Sequence, residues 1–186
     1  MICGLDEAGR GPLAGPVCAA AVILPQNFPL EYLGDSKKLS PKQREYAREL
    51  ICELAVAWGV GWASHEEIDQ INILQASLLA MKRAFEVLRA ALPETVQNIE
   101  AIADGTALPD IPVPCKALIK ADGQIPEVMA ASILAKTARD KEMERCARLY
   151  PEYGYEKHKG YPTKEHRERI ARYGPSPIQR KTFKVR

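Results

Sequence analysis

Residues 2–24 read ICGLDEAGRGPLAGPVCAAAVIL, and this stretch decides the fold. The apolar segments 2–6 and 16–24 are typical of buried β-strands, and the segment EAGRGPLAG between them is rich in glycine and proline, which favour turns. We therefore predict two strands joined by a glycine-rich turn. The apolar run 13–24 is too short, and too interrupted by glycine and proline, to span a membrane.

Further strands and helices follow this pair along the chain. Capping signals at Ser40 and Ser64 precede helical patterns, one over 41–55 and one that ends before Pro93. We predict three more strands at 55–63, 98–103 and 115–119, and two more helices at 126–149 and 163–172. In the second helix an apolar stripe predicts a core face rather than a cofactor site, and it consists of Leu74, Leu78, Met81, Phe85 and Leu88. The alternation of strands and helices predicts one α/β domain.

The composition, 46% hydrophobic and 27% charged residues, is that of a globular protein. The N-terminus lacks the basic and apolar regions of a secretory signal, so we expect a cytoplasmic location and no association with a membrane. The five cysteines are odd in number and far apart in sequence, which favours buried reduced thiols over a disulfide framework or a zinc site.

Charge is distributed unevenly along the chain, although 26 basic and 24 acidic side chains give a net charge of only +2. Residues 1–135 carry 11 basic and 17 acidic side chains, net −6, whereas residues 136–186 carry 15 and 7, net +8. This asymmetry favours a polyanionic partner for the C-terminal third and clustered carboxylates elsewhere. The alternative is a solvated amphipathic surface.

Three acidic residues lie at or just after the carboxyl ends of predicted strands, namely Asp6, Asp104 and Asp122. Open α/β sheets place ligand sites at these ends. Carboxylates gathered there would raise one another's pKa unless a cation neutralised them, and oxygen ligands select Mg²⁺ or Mn²⁺ over zinc. Alternatively, each Asp only begins a turn. Glu7 should point to the opposite face of a regular strand, so the sequence leaves open whether it joins the site.

Two further segments have compositions suited to a phosphate-bearing ligand. Gly9-Arg10-Gly11 permits close approach of backbone amides and offers one guanidinium, although it could equally be a plain turn. The run YGYEKHKGY at 153–161 mixes tyrosines, glycines and bases, which suits phosphate contacts and stacking on sugar or base. A solvated loop is the alternative for that run.

Residues 35–38 (DSKK) form either a phosphate-binding segment or a capped loop. Lys136 and Arg139 either face a phosphate or pair with Asp140 and Glu142 within their helix. Taken together, acids arranged for divalent cations and a basic, tyrosine-bearing C-terminal region indicate hydrolysis of phosphodiesters, with two cations roughly 4 Å apart.

Five segments, taken in order, resemble bacterial ribonuclease HII, the type 2 ribonuclease H. They are DEAGRGPLAGPV (6–17), DSKKLS (35–40), Asp104-Gly105, AASILAKTARDKEM (130–143) and YGYEKHKGYPTKEH (153–166). The resemblance implies a single ribonuclease H-like domain over residues 1–186, with a mixed sheet flanked by helices. It also implies a helical C-terminal region, in which about 136–186 form a basic substrate-binding part.

The activity implied by the resemblance is that of a metal-dependent endonuclease that uses Mn²⁺ or Mg²⁺. It would cut the RNA strand of RNA–DNA hybrids and incise 5′ to ribonucleotides embedded in duplex DNA, leaving 3′-hydroxyl and 5′-phosphate ends. Its partners would therefore be these hybrids and duplexes. We see no clamp-binding peptide, and we expect a monomer. Two rivals remain: a related nuclease acting on DNA junctions, and a nucleic-acid-binding module without catalysis.

The resemblance also assigns residues. The family's four catalytic and metal-binding acids fall on Asp6, Glu7, Asp104 and Asp122. Gly9, Arg10 and Gly11 would read the ribose 2′-hydroxyl largely through backbone groups, and Tyr161 would pack on the neighbouring deoxyribose. Lys136, Lys157 and Lys159 are further candidates for substrate binding. Gln179 stands where many relatives carry histidine, so no role is assigned to it.

Overall fold

The computed structural model describes residues 1–36 and 38–185. At its centre is a five-stranded mixed sheet with the strand order β3-β2-β1-β4-β5. The strands are β1 (Ile2–Ala8), β2 (Val17–Ile23), β3 (Ala57–Ala63), β4 (Glu100–Asp104) and β5 (Cys115–Leu118). β2 pairs antiparallel with β1 and β3, whereas β4 pairs parallel with β1 and β5. The carboxyl ends of β1, β4 and β5 therefore meet at one edge.

Helices cover both faces of this sheet, as predicted. They are α1 (Pro41–Leu54), α2 (His65–Ala91), α3 (Pro126–Leu149), α4 (Tyr155–His158) and α5 (Lys164–Tyr173). Reciprocal hydrogen bonds cap α1 at Ser40 and α2 at Ser64, which confirms both capping predictions. Within the described residues, no helix is both long and apolar enough to cross a membrane.

Two predictions about the helices are corrected. Asn72 has a φ of 67° and interrupts α2, and its side-chain oxygen accepts a hydrogen bond from the Gln75 amide, so a second helical segment begins there. Leu74 follows this break and is 39% exposed, whereas Met81, Phe85 and Leu88 are buried as expected. The run 153–161 is not entirely a loop, because it contains the short helix α4.

The two faces of the sheet form separate cores. Side chains such as Leu5 pack with α2 on one face, and side chains such as Ala20 pack with α1 and α3 on the other. Gly4 lets α3 approach β1 closely, because a Cβ at that position would lie 2.1 Å from the backbone of Glu127. Among the free cysteines, Cys3, Cys18 and Cys146 are buried, while Cys52 and Cys115 are only half-buried.

The turn between β1 and β2 is held by segments from the far end of the chain. The Leu13 amide donates to the Gly160 carbonyl at 2.8 Å, and the Gly15 amide donates to the Ile178 carbonyl at 2.9 Å. In return, the Arg180 amide donates to the Leu13 carbonyl at 2.9 Å. The glycine-rich turn is therefore fixed between the loop after α4 and the C-terminal segment.

Candidate active site

Asp6 and Asp104 lie on adjacent parallel strands at the edge where those strands end. Leu5 pairs with Ala103 across β1 and β4, and both of these side chains face the α2 core. Because side chains alternate along a strand, the next residues, Asp6 and Asp104, face the α3 side together. The sheet register thus brings together two of the acids predicted from the sequence.

Asp6 is almost fully buried, with 5% of its surface exposed. One carboxylate oxygen accepts a hydrogen bond from the Glu7 amide at 2.7 Å. Burial raises the pKa of the Asp6 carboxyl well above its ordinary value; the charges of Glu7 and Asp104 raise it further, while the Ser132 hydroxyl opposes this shift. Asp6 is therefore a carboxylate whose charge the surrounding protein does not neutralise.

Glu7 joins Asp6 in the same cavity, which answers the question left open by strand alternation. It lies one residue from the end of β1, just before the chain turns at Gly9 with a φ of 100°. Burial raises the pKa of the Glu7 carboxyl, and Arg10, whose guanidinium lies 3.3 Å away, counteracts this increase. Glu7 is therefore a partly compensated member of the acidic group.

Asp104 also orients the loop that carries the fourth acid. Its Oδ1 accepts a hydrogen bond from the Ala121 amide at 2.7 Å, which ties the end of β4 to the 3-10 turn Ala121–Gly123. Lys120, with a φ of 60°, turns the chain into this segment. Asp122 consequently lines the same cavity as Asp6, Glu7 and Asp104.

This cavity has a volume of about 610 Å³. A second cavity, of about 580 Å³, lies near the start of α2, and the two cavities differ in whether their acids pair with arginines. In the second cavity Glu67 pairs with Arg83 at 2.8 Å and Glu142 with Arg145 at 2.7 Å. By contrast, Asp6, Asp104 and Asp122 form no ion pair with any residue that the structure describes. Uncompensated oxygen ligands of this kind fit a hard divalent cation.

The carboxylates share a cavity but do not form a ready-made coordination sphere. In residues 1–36 and 38–185, no three His, Cys, Asp or Glu side chains converge closely enough to ligate one ion in this conformation. The donor set therefore fits a divalent cation in its chemistry and charge, and a bound cation would have to draw the side chains together.

The predicted glycine-rich turn lies in the same cavity. Gly9 is required there, because a Cβ would lie 2.0 Å from Nε of Arg139 and because its φ is in the left-handed region. Gly11 lies beneath Tyr161, whose ring would be 3.5 Å from an added Cβ. Gly9, Arg10, Gly11 and Tyr161 all line the cavity, so the structure brings these four predicted residues to the acids.

The three predicted lysines are separated by the structure. Lys136 lines the cavity and pairs with Asp140 at 2.8 Å, which confirms the pairing alternative for that residue. Lys157 pairs with Glu165 at 3.3 Å and Lys159 with Glu144 at 2.9 Å, and neither lines the cavity. Contact of any of the three lysines with substrate stays a prediction.

The segment 35–38 reaches the cavity through Ser36. The Ser36 hydroxyl lies 2.9 Å from that of Ser132, the residue that counteracts the rise in the pKa of Asp6. Arg44 donates to the Ser36 carbonyl at 2.8 Å and also lines the cavity. Lys37, part of the predicted phosphate-binding segment, lies outside the described residues. Sequence reasoning missed Arg44. Ser132 and Lys136, four residues apart on α3, lie on one helix face and both line the cavity.

Two buried arginines are the main surprise. Arg139 is buried and pairs with neither Asp140 nor Glu142; instead it donates to the carbonyls of Ala14, Pro16 and Lys159 at 2.9 to 3.2 Å. The earlier expectation for Arg139 is therefore corrected, because its side chain points into the protein towards the glycine-rich turn. Arg180, which no sequence signal singled out, is fully buried against the same turn.

Comparison with known proteins gives a consistent result. The family model for ribonuclease HII matches residues 3–186. A ribonuclease HII of Treponema denticola is 56% identical over 100% of this chain and 99% of its own length. One from Dechloromonas aromatica is 50% identical over 98% of this chain and 90% of its own.

Solved structures agree on the architecture. The ribonuclease H2 of Pyrococcus horikoshii matches with a TM-score of 0.73 and 29% identity, covering 99% of this chain and 94% of that one. The ribonuclease HII of Archaeoglobus fulgidus, solved in complex with PCNA, matches with a TM-score of 0.76 and 29% identity over 100% and 96%. The family model and the two bacterial relatives span nearly the whole chain, so the chain belongs to the ribonuclease HII family and is an endonuclease of ribonuclease H type 2.

Proposed function

We propose that this ribonuclease H, which acts on RNA–DNA hybrids as its family does, is metal-dependent and also incises duplex DNA 5′ to embedded ribonucleotides. The observation that carries the proposal is the group of carboxylates at the ends of β1 and β4. These acids lie close enough for Glu7 and Asp104 to raise the pKa of buried Asp6, and they share one cavity with the glycine-rich turn.

Asp6 and Asp104 would hold the cations, with help from Glu7, and Asp122 would complete the site and assist product release. Cations bound there would supply a more acidic attacking water and offset the charge that builds on the phosphate. Mn²⁺ and Mg²⁺ are the candidates, because the donors are oxygen atoms only. The remaining task of the protein is to place the scissile phosphate against these acids.

Recognition of the ribonucleotide would fall to the turn at Gly9, Arg10 and Gly11. A 2′-hydroxyl is both a donor and an acceptor, so it can be read by backbone groups if these approach closely. Gly9 and Gly11 remove the side chains that would prevent such an approach. Tyr161, packed over Gly11 and 40% exposed, offers its ring to the adjacent deoxyribose.

The basic segment 136–186 would supply affinity for the phosphate backbone within a single domain. Lys136 lies at the cavity, and Lys157 and Lys159 would contact the duplex farther out. Such contacts release counterions, so binding to any duplex should weaken steeply as salt is added.

The experiment that tests this function uses a labelled DNA duplex carrying one ribonucleotide, incubated with Mn²⁺, Mg²⁺ or chelator. We expect incision 5′ to the ribonucleotide with 3′-hydroxyl and 5′-phosphate ends, abolished by the chelator. If neither this duplex nor an RNA–DNA hybrid is cut, the chain is a binding module. Cleavage of an all-DNA control would favour a junction nuclease.

A matched pair of variants adds a control for the site. Asp104→Asn removes a cavity carboxylate, whereas Asp110→Asn removes an exposed carboxylate that pairs with Lys82 at 2.7 Å. We expect only Asp104→Asn to abolish cleavage at saturating metal. Wild-type cleavage by Asp104→Asn would overturn the assignment of the acids.

A further inference from the structure

Arg180 is a fully buried cation whose hydrogen bonds all go to backbone carbonyls of one turn. Its Nη2 donates to the Gly9 carbonyl at 2.6 Å, and its Nη1 donates to the Arg10 carbonyl at 2.9 Å. Nε donates to the Gly15 carbonyl at 2.9 Å, and Nη2 also donates to Pro16 at 3.2 Å. No carboxylate of the described residues pairs with it.

These contacts determine which way the peptide groups of the turn face. A trans peptide is planar, and its carbonyl and N–H point in opposite directions. When the Gly9 and Arg10 carbonyls point to Arg180, the amides of Arg10 and Gly11 in the same peptide planes point away from it. Since Arg180 is inside the protein and these residues line the cavity, the two amides face the cavity side.

Arg180 is itself held from outside the turn. Its amide donates to the Leu13 carbonyl, and Asp69 on α2 accepts hydrogen bonds from the amides of Lys181 and Thr182, both at 2.9 Å. The guanidinium also lies over the Phe183 ring at 5.0 Å. The side chain therefore has little freedom to follow a shifted turn.

Arg139 shares the Pro16 carbonyl with Arg180, but its other hydrogen bonds go elsewhere. It holds the carbonyls of Ala14, Pro16 and Lys159, none of which belongs to the Gly9-Arg10-Gly11 segment. The two arginines are therefore not equivalent. Arg139 joins the turn to the loop after α4, whereas Arg180 donates to the carbonyls of Gly9 and Arg10 beside the acids.

We propose that Arg180 is a positioning residue that sets the preference for a ribose 2′-hydroxyl by fixing the peptide groups between Gly9 and Gly11. This inference rests on the proposed function, because it presumes that this turn reads the sugar. It predicts that disturbing Arg180 reduces discrimination between ribose and deoxyribose more than it reduces affinity for duplexes in general.

The test compares binding, in chelator, to a duplex with one ribonucleotide and to the all-DNA duplex of the same sequence. We define the discrimination ratio as the dissociation constant for the all-DNA duplex divided by that for the duplex with one ribonucleotide. This ratio does not depend on the fraction of active protein. In Arg180→Lys, which keeps the charge but loses the guanidinium fork, we expect this ratio to fall about tenfold while all-DNA affinity stays nearly constant, since each misdirected hydrogen bond costs on the order of a few-fold to tenfold in binding.

Arg83→Lys is the matched control. Arg83 also donates to a backbone carbonyl, that of Trp62 at 2.7 Å, and it pairs with Glu67 far from the turn. Its ratio should equal that of the wild type. If Arg180→Lys does not fold, Asp69→Asn loosens the segment that carries Arg180, and we expect a smaller drop in the same ratio.

The outcomes separate the two proposals. An unchanged ratio in a folded Arg180→Lys protein, or in Asp69→Asn if the first variant does not fold, overturns the role of Arg180. An equal drop in Arg83→Lys also overturns it, because any loss of stability would then have the same effect. If the wild type shows no preference for the ribonucleotide, the proposed reading of the sugar fails and this inference falls with it.

Discussion

Two sets of charged side chains are buried in one region, the acids of the cavity and two arginines, and they differ in whether the protein supplies partners for them. The carboxylates of Asp6 and Asp104 have no cationic partner among the described residues, and the pKa of Asp6 is raised by burial and by its acidic neighbours. In the part of the chain that the structure describes, Arg139 and Arg180 form no ion pair, and their guanidinium groups donate instead to the carbonyls of the turn and of the loop after α4. Burial lowers the pKa of Arg180 only to about 9, so it stays charged at neutral pH.

The difference lies in what neutralises each group. Fixed carbonyl dipoles solvate the arginines from inside the fold, so these side chains serve the structure. The acids face a cavity and receive few donors, so their charge is left for something that enters the cavity. A buried ion that the protein itself satisfies is structural, and one that it leaves unsatisfied is a candidate for chemistry.

The largest expected effect comes from removing one of the unsatisfied charges. Asp6→Asn should reduce cleavage by more than the roughly 10- to 100-fold typical of groups that merely support metal ligands. The metal-free protein should not lose stability, because a carboxyl with a raised pKa destabilises the fold when it ionises at neutral pH. Single-turnover cleavage and thermal unfolding in chelator measure the two effects. A large loss of stability with activity retained would mean that Asp6 has a structural role and is not part of the catalytic site.

Removing a buried arginine whose hydrogen bonds are satisfied should mainly reduce the stability of the fold. Arg139→Met leaves the carbonyls of Ala14 and Lys159 without their buried donor and removes one of the two arginine donors to Pro16. We therefore expect a loss of about 3 kcal/mol in the free energy of unfolding. Urea titration measures this change. Arg145→Met, which removes an exposed ion pair with Glu142, is the control and should shift the midpoint very little. Equal shifts in both variants would contradict the structural role of Arg139.

Much of this arrangement could be predicted from sequence because it depends on local patterns. The capping residues Ser40 and Ser64, the strands around the first turn and the acids Asp6 and Asp104 all follow from short-range rules of spacing and composition. The break at Asn72 could not be predicted from the sequence. Asparagine tolerates a left-handed φ but does not require one, and the helical pattern of apolar residues gives no sign of an interruption there. The exposure of Leu74 follows from that break.

The arginines show the limit more clearly. An arginine bound by carboxylates leaves a charge pattern in the sequence, but one bound by carbonyls leaves none. Arg180 meets Gly9 and Arg10 across more than 160 positions, and only the folded chain brings them together. For the same reason the sequence could not separate Lys136, which reaches the cavity, from Lys157 and Lys159, which do not.

Two buried histidines form a third set of titratable groups, and their pKa values can be compared with those of the acids and arginines. His158 and His166 stack with ring centroids 4.4 Å apart, and His166 bonds the Tyr161 carbonyl at 3.0 Å through Nδ1. Burial lowers the pKa of both imidazoles, so the fold favours their neutral forms. For His158, the Tyr153 carbonyl and Glu165 oppose this shift in pKa, and Arg169 adds to it. Their contribution to stability is therefore present above about pH 6.5 and is lost as the pH falls below it.

The measurement is the free energy of unfolding in chelator at neutral pH and at about pH 5.5, for the wild type and for His166→Asn. The wild type should lose more stability on acidification than the variant, and subtracting the two profiles cancels the opposite contributions of Asp6 and Glu7. Parallel profiles would mean that His166 is protonated as easily in the fold as in the unfolded chain.

The smallest effect is expected at Glu7, which stands between the two groups. Arg10 lies 3.3 Å from its carboxylate and already offsets part of the charge, so less is left for a bound cation than at Asp6. Glu7→Gln should therefore cost roughly tenfold in cleavage and raise the Mn²⁺ concentration needed for half-maximal rate, with the rate partly restored at high Mn²⁺. Metal titrations of Glu7→Gln and Asp6→Asn under the same conditions measure the difference. A loss as large as that of Asp6→Asn, with no recovery at high metal, would place Glu7 among the uncompensated acids despite its neighbour Arg10.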